Sequence, residues 1–162
     1  MRKVNIIYAG NIKPGEQHYQ KAVDEYIKRL GAAFKVENIE IKESPLPPAP
    51  SPSQIEACLK AEGKKMLERA AAGAFLVALC VEGAKLDSEG FAELLYGEKT
   101  ANHKSVDFLV GSSHGLSGEV KQAADYLLSL SDMTFSHRLA RVMLAEQLYR
   151  AYSIKTGKKY HK

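Results

Sequence analysis

The sequence predicts an α/β fold, a mainly parallel sheet with helices on both faces. Two observations carry this expectation. Short apolar runs alternate with longer segments whose apolar residues recur at helical spacing, and no segment repeats another. Residues 75–81 are apolar throughout, as a central parallel strand buried on both faces is, and residues 106–110 read as the next buried strand.

The elements follow in order. Residues 4–9 read as a strand ending at Gly10. Pro14 opens a helix to about Leu30, with Tyr19, Val23, Tyr26, Ile27 and Leu30 on one face and Gly31 at its end. Residues 34–41 alternate as a second strand, with a slip near Glu37. Residues 44–52 hold five of the six prolines, so a surface loop is expected there. Ser53 is a cap for a helix to about Ala72, and Asp87 or Ser88 for one through Leu95. After the strand at 106–110 come a helix over 119–124, a short strand over 126–130 and a long helix over 137–154. A chain of 162 residues is one domain.

Composition narrows the function classes. No apolar stretch approaches the roughly 20 residues of a membrane span. The first residues are too short for the apolar core of a signal peptide. Cys58 and Cys80 stand in no zinc or redox spacing and read as small buried residues of a reducing compartment. The five histidines are scattered, so no metal is expected, and the cytoplasm is the expected location. The net charge of +4 is unevenly spread. From His137 onward seven basic residues face one acid, Glu146, a segment of +6 on a remainder of −2. A basic end of that kind suits a polyanion, and equally a solvated helix with a frayed basic tail.

In an open parallel sheet, ligands bind beyond the carboxyl ends of the strands. Three strand ends stand out. Residues 79–83 are a buried run breaking at Gly83, in most proteins an ordinary turn. Residues 108–116 place Gly111 directly after a strand, where a ligand can approach the backbone, and Gly115 in a tight turn. Gly111, Gly115 and Gly118 do not have dinucleotide-fingerprint spacing, and no Gly-Lys-Ser/Thr follows to make a P-loop. In residues 130–137, Leu130, Met133 and Phe135 supply apolar walls, and the backbone can hydrogen-bond an adenine edge. The same segment also reads as a capped helix start, with Thr134 or Ser136 as the cap. His137 and Arg141 share a face of the last helix, and Glu146 and Arg150 form a second such pair, read as a surface ion pair.

The wording of these segments resembles the RlmH family of SPOUT-class methyltransferases. The resemblance rests on Phe108-Leu109-Val110-Gly111 with Gly115-Leu116, on Leu130-Ser131 and Met133-Thr134-Phe135 with His137, and on Arg141-Val142 followed by residues 146–151. Residues 26–30, Ser88-Glu89 with Phe91-Ala92 and the closing Tyr160-His161-Lys162 extend it over the whole chain. It implies a C-terminal trefoil knot, which periodicity would never suggest because knots are so rare. It implies S-adenosylmethionine bent within that knot, held by Leu79, Gly111, Ser112, Gly115 and residues Leu130, Ser131, Asp132, Met133, Thr134 and Phe135. It also implies a homodimer that methylates N3 of a pseudouridine in 23S rRNA on assembled ribosomes. Within that frame His137 is either the base for the N3 proton or an orienting group. Arg141, Tyr160 and His161 are candidates for holding phosphate or developing charge, and Arg138, Lys159 and Lys162 for binding RNA. Two departures bear on the site: Ser112 stands where many members have a second glycine, and Gly83-Ala84-Lys85 replaces a more usual Gly-Lys.

Two other readings compete. A nucleotide-dependent oxidoreductase needs a glycine-rich first turn, and Ala9-Gly10-Asn11-Ile12 is a poor one. A non-catalytic RNA-binding protein of ribosome assembly explains the basic end but not three ligand-like loops.

Overall fold

The structure, a computed structural model, describes residues 1–10 and 13–160. Five strands, β1 (Arg2–Ala9), β2 (Phe34–Ile41), β3 (Phe75–Lys85), β4 (Val106–Val110) and β5 (Tyr126–Ser129), form one sheet in the order β2-β1-β4-β3-β5. Every pairing is parallel. Among the described residues six α-helices surround it: α1 (Gln17–Leu30), α2 (Pro52–Arg69), α3 (Ser88–Tyr96), α4 (Glu98–Ala101), α5 (Gly118–Ala123) and α6 (His137–Thr156).

Period-two alternation divides the strand side chains between two cores. Val4, Ile6 and Tyr8 of β1 and Val106, Phe108 and Val110 of β4 join one core with Leu30 of α1, Phe91 and Leu95 of α3, and Leu144 and Leu148 of α6. Ile7, Ala78 and Leu109 face the other, where Met66 of α2 and Val120 of α5 cover them. Helices therefore lie on both faces, as expected. Strands β1, β3 and β4 are flanked by neighbours on both sides, which accounts for their near-continuous apolarity.

Several boundaries differ from expectation, each for a local reason. Strand β2 has no slip at Glu37; it pairs in unbroken register with β1, from Arg2 with Phe34 to Ala9 with Ile41. The cap of α2 is Ser51, not Ser53: its hydroxyl accepts from the Gln54 amide while the Gln54 side chain accepts from the Ser51 amide. The fifth proline of the loop, Pro52, is then the first helical residue, where its missing N–H costs nothing. Of the two caps considered for α6, Ser136 is the one used.

Strand β3 is longer than its apolar run. It pairs with β5 up to Leu79, leaves the register for four residues, and resumes with Ala84 opposite Leu128 and Lys85 opposite Ser129. Gly83 is the residue that permits this return. A Cβ there would lie 2.6–2.7 Å from the backbone of Leu127 and Leu128. Gly83 is thus a close-approach glycine rather than the ordinary turn its sequence suggests.

Candidate active site

The carboxyl ends of β3, β4 and β5 stand side by side, and the segments that leave them enclose one cleft. Its polar part, about 500 Å³, is lined by Leu79 and Glu82 after β3, Gly111, Ser112 and Gly115 after β4, Thr134, Phe135 and His137 before or on α6, and Lys121 of α5. An apolar pocket of about 100 Å³ adjoins it, walled by Leu79, Val81, Leu128, Leu130, Met133 and Phe135. Leu79, Cys80, Val81, Thr134, Phe135 and Ala140 line both, so the two spaces share a wall. Residues from three distant stretches of sequence thus meet where a parallel sheet binds ligands.

The loop after β4 is held from within. Gly115 has φ +87°, its amide donates to the Ser112 carbonyl at 3.0 Å, and a Cβ on Gly111 would overlap the Gly115 carbonyl. Glycine at 111 is therefore required by the loop's own crossing, independently of any ligand. Ser112 does not crowd the cleft with its hydroxyl, which donates to Glu62 Oε2 at 3.0 Å. That carboxylate, buried on α2, also accepts from the Ser44 amide at 2.8 Å and from Cys58 Sγ at 3.6 Å. Glu62 ties the proline-rich loop to the glycine loop. Sequence reasoning missed it, because one acid on a charged helix looks like any solvated residue.

The loop before α6 is shaped by short polar links. Ser129 Oγ donates to the Ser131 carbonyl and the Met133 amide to Ser131 Oγ, so this serine organises the turn. Asp132, expected among the cofactor contacts, points away from the cleft and pairs with Lys85 at 2.6 Å. That pair gives Lys85 a place: it fastens the returning end of β3 to the loop after β5.

His137 opens α6 at the edge of the cleft. Its Nε2 is buried against Gly10, without a hydrogen-bond partner among the described residues, and a Cβ on Gly10 would lie 3.1 Å from it. Burial first, then the nearby Arg138, push the imidazole below its ordinary pKa, while Glu43 and Glu16 oppose them. The neutral form is favoured near pH 7.

The other proposed site residues lie elsewhere. Arg141 is buried one turn further along, its guanidinium 3.4 Å from the centre of the Tyr8 ring and donating to Gln20 Oε1 at 2.9 Å. It joins α6 to β1 and α1 rather than lining the cleft. Arg138 pairs with Glu16 at 2.7 Å. Tyr160 folds back on α6, donating to Glu146 Oε1 at 3.1 Å and packing on Tyr149 at 4.7 Å between ring centres. The same Glu146 holds Arg150, the pair read from the sequence. Lys159 is exposed, and His161 and Lys162 lie outside the described residues.

Among the described residues no group of His, Cys, Asp and Glu could hold a metal ion, and no helix is long and apolar enough to cross a membrane.

Comparison with known proteins gives this cleft a context. The family model described as "Predicted SPOUT methyltransferase" matches residues 2–161. Proteins named "Ribosomal RNA large subunit methyltransferase H" align from end to end. One from Caldicellulosiruptor bescii is 45% identical, over 98% of this chain and 99% of its own. Others from Streptococcus thermophilus and Halothermothrix orenii are 38% and 36% identical, each over 99% of both chains. A match of that extent, on a five-stranded parallel sheet with its cleft at the ends of β3, β4 and β5, means that the chain belongs to the SPOUT methyltransferase family and, within it, to the branch named methyltransferase H.

Proposed function

We propose that this protein transfers the methyl group of S-adenosylmethionine to N3 of a pseudouridine in 23S rRNA, as a cytoplasmic homodimer acting on assembled ribosomes. The observation that carries the reading is the composite cleft: a small apolar pocket beside a glycine loop and a half-buried neutral imidazole, in a chain that aligns throughout with ribosomal RNA methyltransferases.

The residues present fit such a donor. Leu79, Leu130, Met133 and Phe135 offer apolar surface for a purine, and the backbone around Ser131 and Thr134 offers its edge hydrogen-bonding groups. Gly111 lets the loop after β4 cross itself at Gly115 beside the polar part. The donor, when bound, supplies an electrophilic methyl on a sulfonium. What remains for the protein is to align the acceptor nitrogen and remove its proton. His137 is suited to the second task because burial keeps it unprotonated.

A partner subunit is supported by apolar surface around the cleft. Val81 is 51%, Met133 66% and Leu139 38% exposed. A second hollow of about 490 Å³, lined by Tyr26, Phe91, Val142 and Met143 among others, opens between α1, α3 and α6. Basic side chains near the end of α6, Lys155, Lys158 and Lys159, are exposed and suit phosphate.

The deciding experiment offers S-adenosylmethionine with a labelled methyl to intact ribosomes and to free rRNA from a strain lacking the protein. Label on a pseudouridine, with ribosomes preferred, is the expected result. No transfer to either substrate, together with no donor binding, would leave the non-catalytic RNA-binding reading. A pH profile tests His137. Its depressed pKa predicts activity that holds to below pH 6.5 and falls only as the imidazole protonates. His137→Asn should lower the rate about a hundredfold and remove that limb; an unchanged acid limb in the variant would assign the proton to another group.

A further inference from the structure

The cleft carries two charged side chains that neither wall the apolar pocket nor adjoin His137 in sequence. Lys121 of α5 and Glu82, in the excursion of β3, line its polar part and pair with each other. Lys121 holds Glu82 below the usual carboxylate range. Their side chains are 30% and 54% exposed, and a pair so open to water contributes little to folding. Both are nevertheless held in place by the surrounding fold. Glu82 directly precedes Gly83, the residue pressed onto the β5 backbone. Helix α5 is locked against α2, where a Cβ on Gly63 would fall 2.6 Å from Ser117 Oγ and 2.7 Å from Val120 Cγ2.

The lining contributed by α6 and the residue before it is chemically different. It includes Ser136 and His137, whose imidazole favours the neutral form. Arg138 and Arg141 behind it are engaged with Glu16 and with Tyr8 and Gln20. His114, on the glycine loop, also lines the cleft and contacts Ser113 Oγ at 3.3 Å. The cleft is thus lined by an apolar pocket, by a neutral imidazole and by an ammonium beside a carboxylate.

We propose that Lys121 and Glu82 form the subsite for the amino-acid end of the methyl donor, Lys121 receiving its α-carboxylate and Glu82 its α-ammonium. The inference rests on the donor reading above and deepens it. Lysine has three donors and the carboxylate several acceptor positions, so neither needs to release the other. A zwitterion placed against the pair completes a ring of alternating charges. With the purine in the apolar pocket, the donor's polarity then runs from the Met133 side towards α5, leaving the neutral imidazole of His137 to the acceptor base.

The test compares two ligands by calorimetry. S-adenosylhomocysteine carries the amino-acid end, and 5′-methylthioadenosine lacks it. Lys121→Ala should weaken S-adenosylhomocysteine about tenfold and leave 5′-methylthioadenosine unchanged. Glu82→Gln should do the same to a smaller degree. Glu82 is exposed and Lys121 partly so, and unchanged thermal unfolding of the free variants would show that the cleft is intact. Equal loss for both ligands, or none for S-adenosylhomocysteine, would overturn the assignment. So would a wild-type protein that binds the two equally well. If the wild type binds neither, the donor reading itself fails, a result distinct from the others.

Discussion

Alanine at Gly111 is expected to weaken S-adenosylhomocysteine about a hundredfold and to reduce methyl transfer at least in proportion. The cause is not a blocked ligand. The new Cβ meets the Gly115 carbonyl where the loop after β4 crosses itself, so the loop must open by an ångström or more. That displacement moves Ser112, and with it the link to Glu62 on α2. Calorimetry with S-adenosylhomocysteine, beside thermal unfolding of the free protein, separates the effects. A loop defect lowers both affinity and unfolding temperature. Affinity lost with unfolding temperature unchanged would mean that the methyl obstructs the ligand alone, and retained affinity would mean that the loop adapts.

Asp107→Ala is expected to cause the largest loss of stability, about 3–5 kcal/mol, with the cleft left intact. Asp107 sits at the amino end of β4, completely buried. Its carboxylate accepts from Asn5 Nδ2 at 2.9 Å, Ser105 Oγ at 2.7 Å and the Ala71 amide at 2.8 Å. Alanine strands all three donors in the interior. Asparagine, which keeps one oxygen, should cost less. Urea unfolding gives the comparison, and a change under about 1 kcal/mol for the alanine variant would show that water replaces the lost acceptor. Four residues further on is Gly111, about 13 Å away along the strand. Strand β4 therefore carries a stability determinant at one end and, just past the other, the glycine proposed to shape the ligand site, and ligand affinity should separate the two variants.

The contrast between these positions shows what the sequence made legible. The bounds of β2 and β4 were readable, β2 from its alternation and β4 from its apolar run, although the slip expected near Glu37 is absent. Residues 130–135 and Gly111 were readable as strand-end loops, and the structure brings most of them together. The trefoil knot, which family membership implies, had no local signature at all, because threading leaves no mark on periodicity. Helix α4 is four residues long and too short for any period. The return of β3 onto β5 was hidden because Glu82-Gly83-Ala84-Lys85 does not look like a strand; only the approach of another backbone makes glycine necessary there. Arg141 shows the limit in the other direction. Helical spacing placed it beside His137, yet its guanidinium turns inward to Tyr8, a contact between residues 133 positions apart. Asp107 did carry a signal, a lone charge in an otherwise apolar strand, whereas Glu62 carried none.

The order of the strands has a consequence for synthesis. Strand β5 lies at the sheet's edge beyond β3, and it is the last strand made. As the chain emerges, the segments after β3 and β4 can take their places while the third side of the cleft is still missing. That side arrives only with residues 126–137, followed by the helix that packs behind them. A chain that ends before residue 126 therefore lacks one wall of the cleft. A ligand that needs all three walls would, by mass action, stabilise mature molecules over partly made ones.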